Sequence, residues 1–218
     1  LLVMAVVVVV WGLGPPTTKL VTAPPLIGTF VRFGISSPLL IVVLAARRRV
    51  LSRKVFIATA LPGLSFGINL VFVFATLQEA TVSVLSTVVA MQPALLLVLA
   101  GPLFREYPTS RQLAFTLAGV VGAVGVILGA GSEIRSSWLG VGLAALSLVT
   151  FTLYFVLTRL ARSEDEVDPI EWMAGINIWA FLSTIVPILL LADRSDWAQF
   201  GGKDWLWIAV VAFVTGVF

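Results

Sequence analysis

The 218-residue sequence contains no cysteine and no histidine. The first absence excludes disulfides and thiolate chemistry. The second removes the commonest metal ligand and the usual proton shuttle near neutral pH. Charge is also scarce: 11% of residues are charged, where a soluble domain carries about 25%. Neither H-E-x-x-H nor a phosphate-cradling G-x-x-x-x-G-K-[ST] occurs, so no zinc hydrolase or nucleotide-driven pump is written here. No acidic residue lies deep inside an apolar block, which leaves no proton relay built on buried carboxylates. We therefore expect no cofactor and no metal. Nucleic acid is not an expected partner, because the basic residues sit in short strings between apolar blocks.

What is present is apolar. Hydrophobic residues make up 59% of the chain, and its mean hydropathy is +1.07. They fall in blocks of about 20, the length at which a helix crosses a bilayer. Eight blocks are legible, near 1–20, 26–46, 55–77, 80–103, 112–130, 137–159, 170–192 and 204–218. The expected fold is all-α, a polytopic helical membrane protein. Both ends of the sequence fall inside apolar runs, "LLVMAVVVVVWG" and "WLWIAVVAFVTGVF", and we read the chain as part of a longer protein. No basic region or small-residue cleavage site marks the first block as a signal peptide.

The strings between blocks set the orientation. Arg47, Arg48, Arg49, Arg53, Lys54, Arg105, Arg111, Arg159 and Arg162 fall on one side, and Lys19, Arg135, Arg194 and Lys203 on the other. The positive-inside rule puts the larger group in the cytoplasm, and the acidic string "SEDEVD" weighs little against it. Block 1 then runs outward and block 6 inward. The two blocks share a pattern: Trp11 and Lys19, like Phe151 and Arg159, are eight residues apart. After each comes a short proline-bearing loop, then a polar residue eight positions beyond the proline (Arg32 after Pro24, Asn177 after Pro169). Similar blocks of opposite orientation suggest an inverted repeat, with a binding site near the midplane between its halves.

Several polar and small residues lie inside the blocks. Ser83, Ser86, Thr87, Ala90 and Ala94 share one helix face. That stripe fits either close helix packing or the wall of a polar cavity. Pro93 has no N–H and so frees the carbonyl of Val89, beside the amide of Gln92. Pro15 and Pro16 either bend block 1 or end it. Asn69 lies near mid-depth, where an amide must be bonded to a helix or to a wet cavity. Arg32 is the one charge well inside a block. It is either functional or snorkels outward, with Glu79 as its candidate partner. In block 5, Gly119, Gly122, Gly125 and Gly129 suggest tight helix packing. Glu106 and Arg111 suggest a surface ion pair across the turn between blocks 4 and 5.

These residues bring the sequence to a family. Trp11, Gly12 and Lys19 (W-G-x(6)-K), Arg32-Phe33, the stripe before Pro93, the turn from Arg105 to Gln112, and "FTLYFVLTRL" together resemble the EamA-type transporters of the drug/metabolite transporter superfamily. The likeness extends over the whole chain. It implies ten spans in two inverted five-helix repeats, residues 1–130 forming the first and 137–218 an incomplete second. It further implies a plasma-membrane (bacterial inner-membrane) carrier that exports or exchanges a small amino-acid- or drug-like metabolite. Blocks 1, 3, 4, 6 and 8 would line a central cavity, with Trp11, Asn69, Ser86, Gln92 and Tyr154 facing the solute. The partners are then that solute and the lipid bilayer; a homodimer is left open, with no feature of the sequence supporting one. Two departures stand out: Pro15-Pro16 is not part of the pattern, and Phe151 stands where tryptophan is usual. The competing readings are a helical scaffold without a cavity and an integral membrane enzyme, whose titratable groups the short loops have little room to hold.

Overall fold

A computed structural model describes the backbone of residues 2–129, 137–162 and 167–216, and the side chains of 9, 12–125, 137–162 and 167–213. It is built of helices: α1 (Leu2–Lys19), α2 (Pro25–Ala46), α3 (Arg53–Ala58), α4 (Ala60–Glu79), α5 (Val82–Val89), α6 (Gln92–Phe104), α7 (Ser110–Gly129), α8 (Trp138–Ala161), α9 (Pro169–Leu191), α10 (Arg194–Ala198) and α11 (Gly202–Gly216). No strand occurs among the described residues. The eight apolar blocks map onto α1, α2, α3–α4, α5–α6, α7, α8, α9 and α11. Five stretches among the described residues are long and apolar enough to cross a bilayer: Pro25–Ala46, Ala60–Glu79, Val82–Phe104, Trp138–Ala161 and Pro169–Leu191. The protein is an all-α polytopic membrane protein.

Local chemistry sets the helix ends. The side chains of Ser52, Thr81, Ser137 and Asp168 each accept a backbone N–H of the helix that follows, relieving its orphan donors. At α7 the cap is reciprocal. Thr109 N–H donates to Gln112 Oε1 at 2.8 Å, and Gln112 N–H donates to Thr109 Oγ1 at 3.3 Å, a capping box. The turn from Arg105 to Gln112 thus ends in a helix start. At the other ends of α2 and α6, Arg48 and Arg105 adopt left-handed backbone, with φ of 55° and 57°. Pro93 acts as expected: α5 stops at Val89, and α6 begins at Gln92. Met91 N–H reaches Val88 O at 3.0 Å, and the N–H groups of Ala94 and Leu95 reach Met91 O. Pro15 and Pro16 behave differently, since α1 runs through them to Lys19.

Helix α4 occupies the centre and packs on α8 and α9; α2 packs on α9, and α11 packs on α1 and α2. The main core joins Phe33, Phe66, Leu70, Tyr154, Trp172 and Ile176. In lipid, helices associate through close van der Waals fit rather than through hydrophobic exclusion. Glycines in α4 supply that fit. A Cβ on Gly63 would stand 2.5 Å from Trp179 Cβ and 2.8 Å from Ile176 O, and one on Gly67 would stand 2.7 Å from Ala180 O and overlap Ser183 Oγ. The expected packing glycines of α7 do not pack: nothing lies within 4 Å of a Cβ on Gly119, Gly122 or Gly125. The side chains of Trp11, Gly129, Arg135 and the acidic residues at 163–166 lie outside the described residues.

The loops gather at two ends. At the basic end, Arg49 lies 3.3 Å from Asp168, Ser52 N–H donates to Glu171 Oε1 at 2.8 Å, and Arg159 pairs with Glu106. The guanidinium of Arg159 also covers the Phe104 ring at 4.2 Å. Glu106 therefore ties α6 to α8, and the expected Glu106–Arg111 pair is replaced; Arg111 lies over Phe115 instead. The hydrogen bond from Arg159 holds the Glu106 carboxyl below its ordinary pKa. Asp168 is likewise held low, chiefly by the Ile170 N–H. At the opposite end, Lys19 donates to the carbonyls of Leu77 and Ala80, and Gln78 Nε2 donates to Ala23 O. Thr22 donates to Asp204 through N–H and Oγ1, and Ser137 Oγ donates to Glu79 Oε2 at 3.0 Å. Glu79 is thus bound to the start of α8 rather than to Arg32.

Candidate functional site: a mid-membrane cavity

A cavity of about 360 Å³ lies between α1, α2, α4, α5 and α8. Each helix contributes one stripe to its wall. Gly12, Gly14, Pro15 and Thr18 come from α1, and Arg32 from α2. Helix α4 gives Phe66, Asn69, Leu70 and Val73; α5 gives Leu85, Ser86, Val89 and Ala90; α8 gives Ser147 and Phe151. On α4, α5 and α8 the spacing is that of a single helical face. The wall is mostly apolar with a few polar groups, as in sites for small organic molecules.

Those polar groups are held from behind. Asn69 Nδ2 donates to Ser147 O at 2.8 Å and to Ser147 Oγ at 3.1 Å, with Thr150 Oγ1 at 3.3 Å. Because Ser147 O only accepts, the amide is fixed with its nitrogen on α8. Its oxygen accepts no hydrogen bond among the described residues, which leaves an acceptor at the wall. Ser86 is exposed, and its hydroxyl makes no hydrogen bond among the described residues. Helix α5 is held by its other face, where Leu85 and Val88 pack with Leu77 and Ala144. The hydroxyl stripe is thus not the packing face, and its members Ser86 and Ala90 border the cavity. Val89, whose carbonyl has no Pro93 N–H to accept, borders it too. Arg32 begins about 10 Å along α2 from Pro25. It is 6% exposed and lines the cavity, so it does not snorkel to the surface.

Of the residues singled out from the sequence, Asn69 and Ser86 meet at this cavity, whereas the Trp11 side chain is outside the described residues. Gln92 and Tyr154 are not in the wall. Gln92 opens α6, beyond the break that follows Val89. Its Nε2 is buried with no hydrogen-bond partner among the described residues. Tyr154 stands one turn behind Phe151 and packs on Phe66, ring centroids 4.9 Å apart. It backs two lining rings without reaching the space itself. Helix α11, in block 8, contributes no described lining residue. It sits behind α2, where Ile208 packs with Ile27 and Val31, and α2 takes the expected place in the wall. Ser147 was not anticipated. Its spacing to Phe151 and Tyr154, i, i+4 and i+7, was the available signal.

One enzymatic motif went unread in the sequence, where no G-x-S-x-G was expected. Gly63-Leu64-Ser65-Phe66-Gly67 has the spacing of the G-x-S-x-G nucleophile elbow. Here it lies within α4 rather than at a strand–helix turn, and Ser65 Oγ donates to Thr150 O at 2.9 Å. With no histidine in the chain, no imidazole base can activate it. Its glycines are the packing positions against α9.

An all-α membrane protein with a partly polar cavity among its central helices has the form of a solute-handling membrane protein. The family model for the EamA-like transporter family matches residues 1–128, and the chain belongs to that family. It is accordingly a membrane transporter of the drug/metabolite type. The match ends within α7, short of the whole-chain likeness read from the sequence. Comparison with curated proteins and with solved structures gave no match.

Proposed function

We propose that the protein is a secondary-active transporter that exports or exchanges a small, amino-acid- or drug-like metabolite by alternating access, with the cavity as its solute site. The carrying observation is that one cavity is built jointly by α1, α2, α4 and α5 from the family-matched residues and by α8 from beyond them. A purely structural bundle would fill this space. An enzyme would need clustered titratable groups, and Arg32 is the one ionisable side chain in the described wall. Packing supports two interleaved repeats, 1–130 and 137–218. Block 3 (α4) packs on blocks 6 and 7, and block 8 (α11) packs on blocks 1 and 2, the reciprocal contacts that a twofold in the membrane plane generates.

Alternating access then opens one end at a time. The basic end, cytoplasmic in the plasma membrane by charge, is closed by Glu106–Arg159, Arg49–Asp168 and Ser52–Glu171. The opposite end is closed by Lys19, Thr22–Asp204 and Gln78–Ala23. Breaking one set while keeping the other exposes the cavity to one side. The test is counterflow in proteoliposomes with radiolabelled amino acids and organic acids. Wild type should exchange at least one of them, and Ser86→Val, which leaves the packed face of α5 intact, should slow that exchange at least about tenfold. Equal flux from empty and protein-containing vesicles would remove the proposal.

A further inference from the structure

We propose that the cavity recognises its solute by an uncharged hydrogen-bond donor, a hydroxyl or an amide N–H, which Asn69 and the carbonyl of Val89 accept. This rests on the reading of the cavity as the solute site and names the class of solute. Asn69 is 3% exposed and borders the cavity. Its nitrogen is committed to α8, donating to Ser147 O at 2.8 Å and to Ser147 Oγ at 3.1 Å. The amide oxygen is the other arm of the same planar group, so fixing the nitrogen on α8 turns the oxygen away from it. No described residue donates to that oxygen. An amide oxygen has two lone pairs, and leaving them unpaired in a low-dielectric interior is costly.

The second acceptor comes from the backbone. Helix α5 stops at Val89, and Pro93 has no N–H to close the next turn on that carbonyl. The nearby N–H groups go elsewhere: Ala90 to Ser86 O, Met91 to Val88 O, and Ala94 to Met91 O. Val89 borders the same cavity as Asn69. On α1, Gly12 lines the cavity with backbone alone, and prolines occupy both positions, 15 and 16, from which a helical N–H would reach its carbonyl. Three helices thus bring to one space oxygens that accept and cannot donate. A donor on the solute satisfies them, and an acceptor does not. No described lining residue is acidic, so an ammonium in this place would lose its water without meeting an opposite charge. Phe66, Leu70 and Phe151 supply apolar surface for the body of the solute. The recognition uses α1, α4 and α5 and asks nothing of Arg32 on α2.

Three probes with one aromatic body and different heads test the assignment: 3-phenylpropan-1-ol, 1-fluoro-3-phenylpropane and 3-phenylpropylamine. Fluorine replaces the hydroxyl at nearly the same size and cannot donate, and the amine is protonated near neutral pH. Dissociation constants are measured on the full chain in nanodiscs, with partition into empty nanodiscs subtracted, for wild type, Asn69→Leu and Pro93→Ala. The alcohol should bind wild type at least about tenfold more tightly than the fluoride, the scale of leaving one buried acceptor unpaired, and more tightly than the amine. Asn69→Leu should bring alcohol and fluoride within about threefold of each other. Pro93→Ala restores an N–H that can close on Val89 O, and should cut the preference about threefold. Equal binding of alcohol and fluoride to wild type, tightest binding of the amine, no binding of the alcohol, or an unchanged preference in both variants would overturn the proposal. The wild-type comparison and Pro93→Ala stand even if Asn69→Leu fails to fold. Binding is read without flux, so donor selectivity in a protein that moves no solute would sink the transport reading alone. Exchange of solutes with and without a donor at equal rates would sink the donor assignment and leave transport standing.

Discussion

Two helices of this protein carry glycines about one turn apart and use them in opposite ways. In α4, Gly63 and Gly67 lie four apart and hold the backbone against α9, with no room for a methyl group. In α7, Gly119, Gly122 and Gly125 meet open space. The difference lies in the partner. Gly67 faces Ala180 and Ser183, and Gly63 faces Ile176 and the stem of Trp179, so small residues or backbone answer the glycine. A small-residue stripe is a packing device only when another helix presents a surface that can come that close. Helix α4 is consequently the fixed element from which the cavity's Phe66, Asn69 and Val73 project. Helix α7 stands at the periphery, with Phe115, Leu117 and Val121 exposed.

That contrast can be broken by substitution. Gly67→Leu should have the largest effect, a loss of about 3 kcal/mol or more, because its neighbours are backbone atoms that cannot yield. Gly122→Leu at the periphery should leave folding intact. Recovery of monodisperse protein and thermal unfolding in detergent would compare the two, and equal losses would end the distinction. Next comes Asn69→Leu. It removes the hydrogen bonds from Asn69 to α8, each worth about 0.6 kcal/mol in a bilayer, and should lower stability by about 1–2 kcal/mol in the same assay. The equivalent change at Thr116 of α7 should have little effect.

A third contrast is between helix starts. Asp168 caps α9 with a charge, whereas Thr109 and Gln112 cap α7 without one. The Asp168 carboxyl has a lowered pKa when folded. Its contribution is therefore complete above the ordinary carboxylate pKa and is lost as pH falls through the lowered folded value. The stability gap between wild type and Asp168→Asn should shrink on acidification, while that of Thr109→Ala should stay constant; parallel pH profiles would contradict this. The smallest effect is expected from Gly122→Ala, a gain of about 0.5 kcal/mol from helix propensity with nothing to collide with.

The same contrast explains what could be read in advance. Block length located all eight helical stretches, since bilayer thickness acts on single segments. Pro93 was legible because a missing N–H breaks a helix wherever it falls, and Asn69 because an amide at mid-depth must find partners. What failed depended on the identity of a neighbour. Gly122 looks like Gly67 until α9 is in place. Glu106 lies nearer Arg111 in sequence, yet Arg159 of α8 arrives with both charge and reach. Gln92 was chosen for its chemistry, and it opens α6 beyond the break after Val89, outside the described wall. Pro15 and Pro16 could bend α1 or end it, and the helix runs through both to finish one turn later, at Lys19.

The left-handed arginines at the ends of α2 and α6 carry a further consequence. A left-handed position at a helix end favours glycine, and any side chain there pays about 1 kcal/mol in backbone energy. Arg48 and Arg105 hold those positions at the basic end. Glycine at both would relax the finished fold while removing two charges that help decide which way the nascent chain is threaded. Under the positive-inside rule, biogenesis and final stability thus make opposing demands on the same two residues.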